Sequence, residues 1–384
     1  MEVLLTTCGA WHLRDTARAF ETRNALAALW CTERNRTGIA EDRFRRCWPF
    51  HLAMAPFYVS ERQQIWRERA FYALFPFWRL WQQRQPWPRC DVVHSVMGYA
   101  TEPFERAETS GVLKVLECCN SHPSTYYGFW QRECDIFCPG QHVPIPRWMF
   151  VRMTRELERA DVILCPSDFV RETLLRNGIP AEKCFLNPFG VDTAIFQTAS
   201  TAPTLPRFLC VGTICLRKGH QYLFRAFEKV KRRLPEAELI CVGTYKRDFR
   251  NERPRWEGTF RHYPALPQRE VAKLLQSGTA FVLASVEEGL ARVIPEALAS
   301  GLPVVATQQS GAETLVTDGV EGFIVPARDV DRTADALLRL ALDPLLRRDM
   351  AAAARKKGAV KNTWQDYGDR LLAEYAQRLA RKRS

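Results

Sequence analysis

The stretch EEGLARVIPEALASGLPVVAT, residues 287–307, decides how this chain folds. Before it, TAFVLAS (Thr279–Ser285) is an uncharged, β-prone run bounded by the acidic pair Glu287–Glu288 and Gly289, as a buried strand would be. Its own tail, LPVVAT, is a second run of that kind. Between the two, Val293, Ala297 and Leu298 recur at helical spacing, and Gly301 followed by Pro303 stops the helix. A strand, loop, helix, strand unit predicts a parallel sheet. Glu288 and Glu296 then bracket the loop and the first turns of the helix.

The same alternation extends outward. RFLCVG, a helix over QYLFRAFEKVKRRL, ELICVG, PVVAT and GFIVP complete an α/β unit in the second half. The first half opens with EVLLTT, then CGAWH (Cys8–His12), then a helix expected from about Arg14 to Leu29. Later strand-like runs are DVVHS (Asp91–Ser95), VLKVLEC (Val112–Cys118) and DVILCPS (Asp161–Ser167), with Ser167 capping the next helix and Gly178 ending it. Turn-rich NPFGVDTAIFQTASTAPTLP, from Asn187, marks a boundary between domains 1–188 and 189–362. Two domains also suit 384 residues, since a single core stops growing at roughly 250–300. The last segment, 363–384, sets Trp364, Tyr367, Leu371, Tyr375 and Leu379 on one helical stripe.

Composition narrows the class. Hydrophobic residues at 46% and charged residues at 26% describe a folded globular protein rather than a disordered one. The short apolar run after Met1–Glu2 lacks a basic flank, and no uncharged stretch is long enough to span a bilayer, so a cytoplasmic address is expected. Thirteen cysteines, several inside strands (Cys165, Cys210, Cys241), look like reduced thiols used as small apolar residues. Cys134 and Cys138 have no second pair at zinc spacing, so no metal is expected. The net charge of +12 lies mostly in the second half, which suits phosphorylated ligands, anionic lipid heads or nucleic acid.

Ligands of such sheets sit just beyond the strand ends. After RFLCVG, Arg217 and Lys218 stand immediately before a helix N-terminus, which makes an anion site suited to a phosphate or diphosphate. Glu288 and Glu296 are acceptors suited to sugar hydroxyls. Glu287 reads as a helix N-terminal carboxylate stabilised by the macrodipole.

These motifs together resemble the E-x7-E signature and flanking segments of the retaining glycosyltransferases of family 4. NPFGVDTAIF is similar to the interdomain segment, VGTICLRKGHQYLFRAF to the donor-phosphate loop and helix, and SGAETLVTDGVEGFIVPARD to the closing strand region. The resemblance implies an α/β GT-B fold, two Rossmann-like doubly wound domains facing across a cleft, with the terminal helix crossing back onto the first. It implies a nucleotide-sugar donor such as a UDP- or GDP-sugar, no further cofactor, and a glycan or lipid-linked acceptor in cell-surface polysaccharide or glycolipid assembly. Carried over by position, Lys218 is the phosphate lysine with Arg217 beside it, Glu296 holds the ribose, and Glu288 contacts the transferred sugar. The amides of Gly9, Gly289 and Leu290 face the donor, His122 resembles the cleft histidine beside the reacting sugar, and His12 and His94 are acceptor-side candidates. Thr213 stands where the family often has arginine, and Leu290 and Ala291 replace an aromatic and a glycine. Loss of a sugar phosphate builds positive charge on the sugar and negative charge on the diphosphate, so Arg217 and Lys218 would stabilise the leaving group without a metal.

Arg43–Arg89 holds nine arginines, two acids and five of the eleven tryptophans. It suits peripheral docking on an anionic inner leaflet through residues such as Trp78 and Trp81, or else a helical insertion whose aromatics pack on the first domain. Nucleic acid is the weaker partner for it, because a strand-binding groove has no use for Glu288 and Glu296. A nucleotide-sugar epimerase or hydrolase of the same fold, and a non-catalytic relative, remain the alternatives.

Overall fold

The computed structural model describes all residues except 10–11, 36–37, 55–63, 144, 199–204, 360–361 and 384, and it leaves undescribed the side chains of 64–67, 359 and 383. Part of the boundary segment after Asn187 thus lies outside the described residues.

Seven parallel strands form the first sheet: β1 (Val3–Thr6), β2 (Leu26–Cys31), β3 (Phe44–Arg46), β4 (Val92–Val96), β5 (Leu113–Glu117), β6 (Val162–Cys165) and β7 (Cys184–Leu186). Six parallel strands form the second: β8 (Arg207–Val211), β9 (Glu238–Val242), β10 (Arg261–Tyr263), β11 (Ala280–Leu283), β12 (Val304–Thr307) and β13 (Gly322–Val325). The spatial orders, β3-β2-β1-β4-β5-β6-β7 and β10-β9-β8-β11-β12-β13, each reverse direction at the first strand. That reversal opens a crevice beyond β1 and β4 in one domain, and beyond β8 and β11 in the other.

The helix expected over Arg14–Leu29 is shorter, spanning Leu13–Glu21, and the ALAALW run belongs to β2. A turn with Asn24 at φ 53° separates them. Its alanines favour a helix by propensity, but pairing on both sides, with β1 and β3, overrides that preference.

Two helices cross between the domains. Trp364–Arg383 lies on the first domain, where Tyr367, Leu371 and Tyr375 are fully buried against helix Leu13–Glu21 and the first sheet. Each such side chain contributes about 1.5–3 kcal/mol by burial. Helix Pro123–Phe137 starts at the end of β5, yet Trp130 and Cys134 on it, and Cys138 just after it, lie in the apolar core of the second domain with Phe208, Phe224 and Trp256. Its polar face is satisfied there too. Glu133 accepts from Gln221 (2.8 Å), Tyr222 (2.9 Å) and Arg328 (2.7 Å), and the Trp130 indole donates to Asp248 at 3.0 Å.

The arginine- and tryptophan-rich insertion forms helices Trp48–Met54 and Gln64–Arg84. Trp78 is fully buried and stacks on the half-buried Trp81 at 5.2 Å, which meets Trp30 edge-on, so this pair packs on the first domain. Trp48, Leu52, Phe77 and Leu80 on the same helices are exposed. Among the described residues no helix is long and apolar enough to cross a membrane.

Candidate functional site

The crevice of the second sheet gathers the charges that the sequence placed after β8 and β11. Gly212 follows β8 at φ 139°, a backbone state that favours glycine, and a Cβ there would sit 3.2 Å from the Lys218 ammonium. The loop then delivers Arg217 and Lys218 to the start of helix His220–Arg233. Lys218 Nζ pairs with Glu288 Oε2 at 2.6 Å, and Arg217 Nη1 lies 3.5 Å from the same oxygen. Burial alone would raise the Glu288 carboxyl, but Lys218 and Arg217 outweigh it and hold the group below the usual range.

Glu287 does more than the N-terminal role read from sequence. It is fully buried and joins the domains: one oxygen accepts from the Ser121 amide (3.0 Å) and hydroxyl (2.9 Å), the other from Arg217 (2.9 Å) and Asn120 (3.3 Å). Arg217 also donates to the Glu287 carbonyl at 2.7 Å, so one guanidinium nitrogen is engaged in this strut. The usable signal was the placement of a charged residue at the end of an otherwise uncharged strand. Gly289 completes the contact, since a Cβ there would fall 1.9 Å from the Cys119 carbonyl oxygen of the first domain. The amides of Gly289 and Leu290 bond to no described residue, although the Leu290 side chain is buried.

Glu296 sits in the first turn of helix Val293–Ala299 and is 9% exposed. Its carboxylate accepts no hydrogen bond from any described residue. Burial pushes its pKa up to about 7; Arg292 pulls it down and Asp15 of the first domain pushes it further up. Arg292 reaches across to Asp15 at 3.4 Å.

On the facing domain, His122 caps helix Pro123–Phe137: its Nδ1 accepts from the Ser124 amide at 3.2 Å, and its own amide donates to Thr173 at 3.0 Å. A neutral ring so placed carries its proton on Nε2, which meets no described partner, and burial lowers its proton affinity. Gly9, at φ 128°, lies after β1 on the wall of a cavity of about 530 Å³. A smaller cavity of about 140 Å³, lined by Asn120, Ser121 and Tyr126, adjoins the strut, and Tyr99 lines both. The Arg217 guanidinium lies over the Tyr126 ring at 5.6 Å.

His12 and His94 are not presented to an acceptor. His94 is fully buried with both ring nitrogens engaged, Nε2 with Glu117 (3.1 Å) and Nδ1 with the Tyr375 hydroxyl (3.0 Å). His12 Nε2 meets the other Glu117 oxygen at 2.8 Å, and its ring packs on Phe189 and Trp364. Tyr367 also donates to Glu117, at 2.9 Å. Burial works to raise the Glu117 carboxyl, but His12 and His94 hold it well below the usual range. This cluster anchors the terminal helix. Asp329 caps helix Val330–Leu342 by accepting from the Arg332 amide at 2.9 Å, and Asp331 pairs with Lys229.

Comparison with known proteins accords with this arrangement. The sequence model of glycosyltransferase family 4 matches residues 9–195, and that of glycosyl transferases group 1 matches residues 205–343. A GDP-mannose-dependent monoacylated alpha-(1-6)-phosphatidylinositol monomannoside mannosyltransferase of Corynebacterium glutamicum is 28% identical over 205 residues, 48% of this chain and 54% of that protein. The alpha-D-kanosaminyltransferase of Streptomyces kanamyceticus is 27% identical over 302 residues, 72% of this chain and 73% of that one. The chain spans about half the length of several curated relatives it matches. Among solved structures, sucrose-phosphate synthase from Thermosynechococcus elongatus superposes with a TM-score of 0.74 at 17% identity, over 99% of both chains. Anabaena HepE, solved with UDP-glucose, gives 0.70 at 14% identity over 98% of this chain and 100% of its own. With one model on each Rossmann-like half and both sheets in the same strand order, the chain belongs to the GT-B glycosyltransferases of family 4.

Proposed function

We propose that the protein is a retaining glycosyltransferase that moves a sugar, of hexose type, from a nucleotide-diphosphate donor to a glycan or lipid-linked acceptor in cell-surface polysaccharide or glycolipid assembly. The observation that carries this is Glu296, a buried carboxylate without a donor among the described residues, one strand away from a lysine at a helix N-terminus. A pair of ribose hydroxyls supplies the missing donors, and a diphosphate suits Lys218 beside the helix N-terminus. The charges in the crevice are balanced, with Arg217 and Lys218 facing Glu287 and Glu288. An arriving diphosphate takes Lys218 from Glu288, which frees that carboxylate for the sugar hydroxyls. Charge then develops where it is met. Lys218 and the helix N-terminus stabilise the departing diphosphate, and Glu288 and the His122 Nε2–H orient the sugar. These charges perform the work a bound cation would do, so the reading includes metal independence.

We assign the membrane-facing surface to the exposed side chains Trp48, Leu52, Phe77 and Leu80, with Arg45 and Arg46 beside them, rather than to Trp78 and Trp81. Exposed apolar side chains on an arginine-rich insertion suit an anionic inner leaflet.

The test is calorimetry with UDP-, GDP- and ADP-sugars on the wild type, Lys218→Ala and Glu296→Ala. One donor should bind the wild type and lose about tenfold or more in each variant. Undiminished binding in both variants, or no binding of any nucleotide sugar, would overturn the assignment.

A further inference from the structure

The cavity of about 530 Å³ in the first domain lies beyond the ends of β1, β2 and β4, on the side that faces the donor crevice. Its apolar wall comes from the insertion helices: Phe50, Met54 and Phe71, with Tyr99 from the loop after β4. Its polar wall carries Arg34 and His51. The acid that shares this wall, Glu33, is already paired with Arg14. Arg34 makes no hydrogen bond or ion pair with any described residue. Behind it, Arg46 has its Nη2 buried without a described partner and its guanidinium over the Trp48 ring at 4.0 Å. Burial, and then the like charge of Arg34, hold the proton affinity of Arg46 below its ordinary value. Arg34 and Arg46 lie within each other's field, and the acid on this wall, Glu33, is held by Arg14, so this side of the cavity is cationic and suits an anion. Tyr99 joins this cavity to the smaller one beside Ser121 and Asn120, where Glu287 anchors the donor loop.

We propose that this cavity is the acceptor site and that its acceptor joins a phosphate group to an apolar body. This rests on the glycosyltransferase reading and adds the chemistry of the second substrate. The phosphate sits between Arg34 and His51 on the cavity wall, with Arg46 adding positive charge from behind, the apolar body lies on Phe50, Met54 and Phe71, and the hydroxyl to be glycosylated points past Tyr99 to the donor crevice. Trp48, at the start of the helix that carries Phe50 and Met54, is exposed, so an acyl or prenyl chain can enter from a lipid surface.

The test is calorimetry with four monomeric probes: farnesyl monophosphate, dihexanoyl phosphatidic acid, farnesol and inorganic phosphate. They are titrated into the wild type, Arg34→Gln and Phe71→Ala, with a nucleotide-sugar titration on each protein. At least one of the two amphiphilic phosphates should bind at least about tenfold more tightly than farnesol or phosphate, and lose about tenfold in each variant. Tighter binding of farnesyl monophosphate assigns a prenyl phosphate, and tighter binding of phosphatidic acid a diacyl lipid. Unchanged nucleotide-sugar affinity shows that the variants are folded and that only this cavity was altered. Equal binding of farnesol and farnesyl monophosphate, retention of affinity in either variant, or no amphiphile binding to a protein that binds its nucleotide sugar overturns the proposal. Loss of nucleotide-sugar binding in the wild type overturns the donor reading instead, and the amphiphile titrations are still read on their own.

Discussion

Donor affinity should depend on pH through Glu296, and the dependence can be worked from its surroundings. The carboxyl is raised from an ordinary 4.5 to about 7 by burial, with Arg292 opposing and Asp15 adding to the shift. Its ionised form is therefore disfavoured in the empty protein, which loses stability as pH rises from about 4.5 through 7. Ribose hydroxyls donate to the ionised form, so binding requires the proton to leave. Each pH unit below neutrality then weakens binding about tenfold. Charge-assisted hydrogen bonds of about 1.5–3 kcal/mol lower the bound-state pKa by about 1–2 units, so the profile should flatten near pH 5–6 after a total loss of about 10- to 100-fold. Calorimetry with an intact nucleotide sugar, whose diphosphate diester does not titrate in this range, isolates the effect. Glu296→Gln keeps the shape and removes the proton, so its profile should be flat. A flat wild-type profile from pH 5.5 to 8, or a slope that survives in Glu296→Gln, would refute the assignment of Glu296 to the ribose.

Three further outcomes are expected. Glu287→Ala leaves the Arg217 guanidinium and the Ser121–Asn120 turn without their shared acceptor and should cost about 3 kcal/mol in denaturant unfolding, at the low end for a broken buried pair because Glu288 stays 3.5 Å from Arg217; a loss under about 1 kcal/mol would count against the strut. Tyr375→Phe removes the hydroxyl from His94 Nδ1 and should cost about 1 kcal/mol of stability while leaving kcat within about twofold, as a structural histidine requires. Paired Trp48→Ala and Phe77→Ala substitutions should abolish co-sedimentation with anionic liposomes at unchanged Tm, whereas Trp78→Ala should destabilise by about 3–5 kcal/mol; equal liposome binding before and after the paired change would remove the membrane assignment.

What the sequence made legible was what depends on chain-local pattern. Uncharged runs such as TAFVLAS and PVVAT became β11 and β12, and Arg217, Lys218 and Glu288 fell just beyond strand ends, where the parallel sheets bring them together. ALAALW misled because its pairing partners lie outside the window in which propensity is summed. The three-residue strands β3, β7 and β10 have too short a pattern to register. His12 and His94 misled in another way: a histidine at a strand end looks the same whether it faces a cleft or a buried glutamate, and Glu117 and Tyr375 are remote in the chain. Glu287 was misread for the same reason, since its partners Ser121 and Asn120 are 166 residues or more away.

Helix Pro123–Phe137 changes what counts as a building block here. Its first turn belongs to the strand that ends beside His122, but Trp130, Cys134 and Cys138 complete a core made by residues from 208 onward. A fragment cut within the connection after Asn187 would leave the downstream piece with a cavity the size of a tryptophan and Asp248 without its indole donor, while the upstream piece would carry an exposed apolar helix. The two halves should therefore melt as one transition rather than two, and exchanging the upstream half for that of a relative should succeed only if this helix travels with the half it fills.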